Sequence, residues 1–511
     1  MVAGMAGRPN ILILMADQLT PAVLAAYGGG PARTPNIDAL SAGGVTFDSA
    51  YCNSPLCAPS RYVFMSGRLP SAIGAYDNSA DFPSDIPTFA HYLRHAGYQT
   101  ILSGKMHFCG PDQLHGFEQR LTTDIYPADY GWTPDWDDFQ HRPSWYHNMS
   151  SVTEAGPCVR TNQLDFDEEV VFAARRKLFD MARARDERPF CMVVSMTHPH
   201  DPYAITEEYW NRHTDDEITP PRVAVAPDRL DPHSLRLRHV CDMDNSGITE
   251  RHVHAARRAY CGAVSFIDDQ IGILMAALRD SGQAENTVVI LLSDHGEMLG
   301  ERGLWYKMSF FEGACRIPLI VNAPGRFAPR RVRHAVSSID LLPTLVELAH
   351  DGTAPPYATP IEGRSLLPHL NGTGGHDEVI GEYLAEGAIA PIVMIRRGTE
   401  KFIHSPVDPD QFHDLAEDPD ELVNLAEAPA LADAVAAYRA EVAERWDLAA
   451  LRAEVVESQR RRRLVYDALC AGARHSWDHQ PVDDASQQYM RNHIDLDDLE
   501  AMARFPPVRP R

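Results

Sequence analysis

The 511-residue chain has no run of 18 apolar residues, no regular cysteine spacing and no surplus of positive charge. Without such a run, no membrane-spanning helix is expected. Asp and Glu number 71 against 47 Lys and Arg, a net charge of −24. That balance argues against nucleic acid as a partner, although local cations in a cleft could still take an anionic substrate. Nine cysteines, an odd number at irregular intervals, make no disulfide framework and suggest a reducing compartment. The first fifteen residues carry one arginine and an apolar run only from Ile11 to Met15, too short for a signal-peptide core. The expected location is therefore the cytoplasm, with no membrane partner. There is no internal repeat.

A hydrophobic content of 44% and a charged content of 23% are those of an ordinary soluble globular protein. The length calls for two or three structural units. Asn10-Ile-Leu-Ile-Leu-Met-Ala-Asp17 reads as a wholly buried strand ending in a carboxylate. The same pattern recurs. Tyr98–Gly104 runs into Lys105 and His107, which on an extended segment would point the same way. Phe190–Ser195 runs into His198, His200 and Asp201, and Thr287–Ser293 into Asp294 and His295. Pro318–Gly325 is a further strand, and a long helix is expected over Arg251–Asp280. Strands alternating with helical spacers predict a doubly wound α/β domain over residues 1–375, closed by the loop Asn371–Gly375. Short strands at Val379–Leu384, Pro391–Arg397 and Lys401–His404, followed by an alanine-rich helix over Leu431–Leu448, predict a smaller antiparallel unit over 376–448. The tail, 449–511, has too few apolar residues for a core of its own. It carries Arg460-Arg-Arg-Arg463 and must lie on the main domain or on a neighbouring subunit.

In open α/β sheets ligands bind at the carboxyl ends of the strands. Four such ends here supply Asp17, Lys105 with His107, His198 with His200, and Asp294 with His295, with Lys307 in a loop between strands. A hard divalent ion on Asp17 and Asp294, with Gln18 and His295 as further candidates, would prefer oxygen and so be Ca²⁺ or Mn²⁺ rather than zinc. Between the first two strands lies Cys57-Ala-Pro-Ser-Arg61. Here a cysteine stands just ahead of a helix that Ser60 could cap, and Arg61 offers a fork suited to a tetrahedral oxyanion.

That pentapeptide is the Cys-x-Pro-Ser-Arg signature of type I sulfatases. Asn10–Asp17, Gly104-Lys-Met-His107 and Leu291-Leu-Ser-Asp-His-Gly296 resemble the corresponding segments of the alkaline phosphatase superfamily and its sulfatase branch. Longer runs are similar to bacterial choline-sulfatases. They include Asp77-Asn78, Leu102–His107, Gly110–Glu118, Leu121–Asp129, Gly131–Asp135, Thr197–Tyr203, Gly300–Trp305, Trp477–Pro481 and Met490–His493, so the likeness extends over the tail.

The resemblance implies a large, mostly parallel mixed sheet flanked by helices, with a small C-terminal sheet unit and an extended tail. It further implies that a separate formylglycine-generating enzyme converts Cys57 to formylglycine, whose hydrate attacks sulfur. The sulfated hemiacetal then breaks by C–O cleavage. Arg61 would hold the nucleophile, and Lys105 and His107 would orient or deprotonate it. Asn78, His200 and Lys307 would contact sulfate oxygens or the leaving oxygen. One divalent metal, Ca²⁺ first and Mn²⁺ or Mg²⁺ as alternatives, would sit on Asp17, Asp294, His295 and residue 57, with Gln18 where many sulfatases have a second aspartate. The substrate would be choline-O-sulfate. Trp132 would face the quaternary ammonium, which cannot donate an N–H hydrogen bond, with Glu386 and Asp497 supplying carboxylates. Asp497 would arrive from a neighbouring subunit of a homo-oligomer, a dimer or tetramer. A phosphonate monoester or phosphodiester hydrolase with the same nucleophile is the alternative, and a non-catalytic binder of betaine-like cations or sulfate esters a third reading.

Overall fold

The computed structural model describes residues 7–184, 186–482 and 492–506. Its centre is the strand β1 (Asn10–Ala16), in which every residue after Asn10 is buried. Each Ile, Leu or Met so enclosed contributes about 1.5–3 kcal/mol of burial, which places this unbroken apolar run mid-sheet. Around it, in chain order, stand β2 (Val45–Tyr51), β3 (Gln99–Gly104), β4 (Gln119–Arg120), β5 (Phe190–Ser195), β6 (Thr287–Ser293), β7 (Arg316–Ile317), β8 (Leu319–Asn322) and β9 (Arg330–Ser337). The spatial order is β9-β2-β8-β6-β1-β5-β3-β4, with β7 added on β2. β1 pairs parallel with both β5 and β6, while β8 runs antiparallel between β6 and β2. The sheet is therefore mixed and mostly parallel, and the charged strand ends emerge on one side.

Three helices matter for the site. α1 (Cys57–Ser66) is buried along its whole length. α2 (Asn162–Arg183) and α3 (Glu250–Asp280) pack against each other. α3 has an 18-residue window of mean hydropathy 1.4 that is 72% buried inside the protein, so its apolar character belongs to the core.

The small unit is a four-stranded antiparallel sheet of β10 (Glu378–Tyr383), β11 (Ile392–Arg397), β12 (Glu400–Ser405) and β13 (Asp408–Asp414). The fourth strand was not expected. It is an edge strand whose polar residues are half-buried in ion pairs, Asp408 with Arg236 and Asp410 with His404, and only Phe412 and His413 are buried. Val435, Tyr438 and Val442 of α4 (Ala432–Arg445) cover Val393, Ile395, Phe402 and Phe412. In the tail, α5 (Leu448–Cys470) sends Leu451, Val455 and Val456 into the main core, so this part of the coreless tail lies on its own subunit. α6 (Leu496–Ala503) follows. Of the matched run Met490–His493, Met490 and Arg491 lie outside the described residues.

Candidate active site

The helix α1 begins at Cys57, one turn earlier than a Ser60 cap would require. Pro59 lacks an N–H and is tolerated in the first turn, so the helix runs through it. Ser60 is consequently no cap; its Oγ donates to Asp294 O at 2.5 Å. The first-turn N–H of Ala58 donates to Asn78 Oδ1 at 2.9 Å, which ties the half-buried Asn78 to the nucleophile's helix.

Arg61 also departs from expectation. Rather than facing an oxyanion, its guanidinium binds carboxylates: Nε donates to Asp294 at 2.9 Å and Nη2 to Asp17 at 3.0 Å. Nη1 donates to Lys105 O at 2.6 Å and to Ser195 Oγ at 2.8 Å. Arg61 is fully buried, and so are both carboxylates it brackets. It acts as a fixed brace from β1 to β6.

Asp17, Cys57, Asp294 and His295 lie together, with one potential ligand atom of each within 4.8 Å of the others. Cys57 Sγ is 3.2 Å from His295 Nε2 and 4.0 Å from Asp17 Oδ1. His295 donates Nδ1–H to Gly296 O at 3.0 Å, so Nε2 is the ring nitrogen turned toward Cys57 and the carboxylates, and it would offer its lone pair to a bound metal. Two carboxylates, an imidazole lone pair and the side chain of residue 57 fit a divalent cation. Gln18, at a positive φ of 64°, turns its amide elsewhere: Oε1 accepts from Lys307 at 2.6 Å and Nε2 donates to Glu297.

The cations surround this cluster. Lys105 donates to Asp17 and lies over the Tyr126 ring at 4.4 Å. Lys307 Nζ is 2.9 Å from His200 Nε2, and His200 Nδ1 is 2.8 Å from Asp201 O. Since Nδ1 can only donate to that carbonyl, Nε2 accepts and the shared proton rests on Lys307. Burial alone would push the Cys57 thiol up, yet Lys105, Lys307 and His295 outweigh it and hold it well below its ordinary range. Burial and the Cys57 charge would also raise Asp17, but the cations beside it, Lys105 first and then Arg61, keep its carboxyl lowered.

Lys105 and His107 do converge, though not along an extended strand. β3 ends at Gly104, and His107 has a positive φ of 60°. Asp124 accepts from the backbone N–H groups of Met106 and His107 at 2.9 and 3.0 Å and holds that turn. Neither ring nitrogen of buried His107 has a partner of good hydrogen-bond geometry, although the ring lies near enough to Cys57 to help lower its thiol. His198 takes no part. It turns away to Asp167 at 2.7 Å.

The half-buried Trp132 stands 5.8 Å from His107 and 6.3 Å from Tyr126, ring to ring, with Tyr126 5.6 Å from His200. Glu386 is 6% exposed and feels the charges of Asp77, Lys307 and Cys57. Asp497 is not brought to this cluster within one chain. It is exposed on α6, and Phe505 just beyond that helix packs on Phe179 of α2 at 6.1 Å. Phe179 lies toward the end of α2 that leads back to the start of β5, away from the strand ends that bear the site.

Residues 9–351 match the Sulfatase family model. The chain is a sulfatase. Two further family models match this sulfatase: Choline sulfatase enzyme C terminal over residues 453–505, and N-sulphoglucosamine sulphohydrolase, C-terminal, over 300–447. It is 48% identical to the choline-sulfatase of Rhizobium meliloti, across 98% of this chain and 99% of that protein. It is 33% identical to the uncharacterized sulfatase YidJ of Escherichia coli, across 67% and 68% of the two chains. Among solved structures, the phosphonate monoester hydrolase of Agrobacterium radiobacter shares the fold, with a TM-score of 0.69 at 23% identity, covering 88% of this sulfatase and 96% of that chain. Formylglycine at residue 57 and a divalent metal on the Asp17 cluster fit the family.

Several contributors had no role in the sequence reading. Tyr126, Asp124 and Glu297 come from irregular segments after the strands. Tyr126 and Asp124 lie inside the run Leu121–Asp129, so the signal was present without a chemistry attached to it.

Proposed function

We propose that this sulfatase hydrolyses choline-O-sulfate to choline and sulfate. The observation that carries this reading is that the cations around Cys57 are bordered by a buried carboxylate, Glu386, which feels the charges of Lys307 and Cys57, and by an aromatic face, Trp132, 5.8 Å from the His107 ring. A quaternary ammonium offers no N–H and is recognised by an aromatic face and a carboxylate, the former at roughly 2 kcal/mol when desolvated. Sulfate oxygens need the opposite: Lys105, Lys307 and an amide such as Asn78. The 48% identity to a choline-sulfatase supports the same reading.

The hydrated aldehyde made from Cys57 by a formylglycine-generating enzyme would supply the nucleophile. A divalent cation, for which we propose Ca²⁺ on Asp17, Asp294, His295 and residue 57 with Gln18 alongside, would supply Lewis acidity at sulfate oxygen. Lys105 and His107 orient residue 57 and take its proton. Arg61 keeps the two aspartates in place. Choline is a poor leaving group, so the S–O bond breaks with a proton delivered to the ester oxygen. The resting proton on Lys307, steered by His200, meets that need. We further propose a cytoplasmic homo-oligomer in which Asp497 of a neighbouring subunit completes the ammonium site.

The test is a steady-state comparison of choline-O-sulfate, 4-nitrophenyl sulfate and a phosphonate monoester. The enzyme is co-expressed with a formylglycine-generating enzyme, and residue 57 is checked by peptide mass. Choline-O-sulfate should lead by orders of magnitude. A lead by the phosphonate would overturn the substrate and leave the nucleophile and metal assignments standing.

A further inference from the structure

The arginine run of α5 is the feature of the sequence that the reaction does not use. Arg462 is 5% exposed and Asp77 fully buried, and the two form a fork-to-fork pair with Nη1–Oδ1 and Nη2–Oδ2 both at 2.7 Å. The same Nη1 donates to Thr133 Oγ1 at 3.2 Å. Asp77 precedes Asn78, and Thr133 follows Trp132. One guanidinium thus joins the segment proposed to touch sulfate to the segment proposed to face the ammonium.

Adjacent contacts extend the joint along the Trp132 segment. Arg463 donates to Pro134 O at 3.3 Å, Gln459 Oε1 accepts from the Trp136 N–H at 3.0 Å, and Arg460 pairs with Asp137 at 2.6 Å. That segment is irregular apart from a single 3₁₀ turn at Tyr130–Trp132, so it has no ladder of its own to hold it. Asn78, by contrast, is also tied to α1 through Ala58. Ser79 Oγ also donates to Asp129 O at the start of that segment and keeps this tie when the fork is lost, but the hold on Thr133 directly after Trp132 goes, so Asn78 stays in place and Trp132 loosens relative to it. A bidentate pair fixes plane as well as distance, which a lysine at the same position would not do.

We propose that Arg462 is a positioning residue for substrate selectivity, setting the span between the sulfate-binding and ammonium-binding walls. This rests on the choline-O-sulfate reading above. Removing one partner alone would strand a buried charge. The informative variant is therefore the double one, Asp77→Asn with Arg462→Met, alongside Arg462→Lys, which keeps the charge and loses the fork.

Wild type and both variants are compared on choline-O-sulfate and on 4-nitrophenyl sulfate, with melting followed in parallel. The double variant should lose at least about tenfold in kcat/KM on choline-O-sulfate, carried mainly by KM, and less than about threefold on the aryl ester. Arg462→Lys should fall between wild type and the double variant, and it reads the same ratio should the double variant fail to fold. Equal losses on the two esters, or none, would overturn the role. If wild type itself does not favour choline-O-sulfate, the substrate reading falls and this role with it. If wild type does and the ratio is unmoved in the variants, only the role of Arg462 falls.

Discussion

Glu386 changes charge near neutrality. Burial pushes its carboxyl up to about 7, and Asp77 adds to the rise while Lys307 opposes it. A carboxyl raised in the folded state keeps its proton between about pH 4.5 and 7 while the unfolded chain has lost it, so stability falls as pH rises through that window. By linkage the loss reaches about 3 kcal/mol by pH 8. Glu386→Gln should therefore unfold at higher denaturant than wild type at pH 8 and show no such gain at pH 4, in the absence of substrate. The KM for choline-O-sulfate should fall in wild type as pH rises through 7, and the same variant should lose that fall. A stability difference that does not depend on pH would remove the account. Lys307→Met probes the leaving group. It should cost choline-O-sulfate at least about a hundredfold in kcat and 4-nitrophenyl sulfate much less, because a phenolate departs with little protonation. Matching losses would show that Lys307 serves the sulfate alone. Asp17, Cys57, Lys105 and Asp294 were legible because each stands directly after a buried strand or inside a named motif. Tyr126 and Glu297 were not, since the turns that carry them inward have no periodicity to read.

At the scale of elements, β3 and its end decide how Lys105 and His107 enter the site. Gly104 has a φ of +104°, and a Cβ there would lie 2.0 Å from Ser195 O on β5. Two strands meet too closely for any side chain. Gly104→Ala should destabilise the fold by roughly 2 kcal/mol or more and lower kcat/KM on every ester alike, measured by denaturant unfolding and steady-state rates. Normal stability in that variant would mean that the strand end has room. The sequence did announce β3, as it did β1, β5 and β6, because unbroken apolar runs mark strands covered on both faces. It misplaced the start of α1 by a turn, since Pro59 reads as a boundary and is instead accepted inside the first turn. β13 was invisible for the opposite reason: an edge strand whose polar residues are held in ion pairs gives no apolar run.

For the whole molecule, the Asp17 cluster joins β1, α1 and β6, so an ion held there binds only the folded chain. Chelation should lower the melting temperature. Restoring Ca²⁺ should recover it by more than Mg²⁺ or Zn²⁺ does, with a stabilisation of about 2.7 kcal/mol at a hundredfold excess over Kd. An unchanged melting curve would argue against the cluster as a metal centre. Light scattering should give a dimer or tetramer, and a fully active monomer would remove Asp497 of a neighbour from the ammonium site. The mixed, mostly parallel α/β sheet could be read from the alternation of strands and spacers, but the seat of α5 could not, because beside its three core residues it is held by salt bridges whose partners lie 323 and 385 residues away.

The place of β1 has a consequence in time. Of the strands in this sheet the first to be made, β1, lies at its centre, and its partner β6 begins at Thr287. Asp294, which stands beside Cys57 in the cluster of candidate metal ligands, leaves the ribosome some 240 residues after Cys57, roughly 10–50 s later at ordinary translation rates. In the finished fold Cys57 is 2% exposed at the start of a helix buried along its whole length, beyond the reach of another enzyme's active site. The interval during synthesis is when that residue is still an accessible cysteine on an incomplete sheet. Slowing the chain between β2 and β6 would lengthen its opportunity for maturation, and fast folding would shorten it.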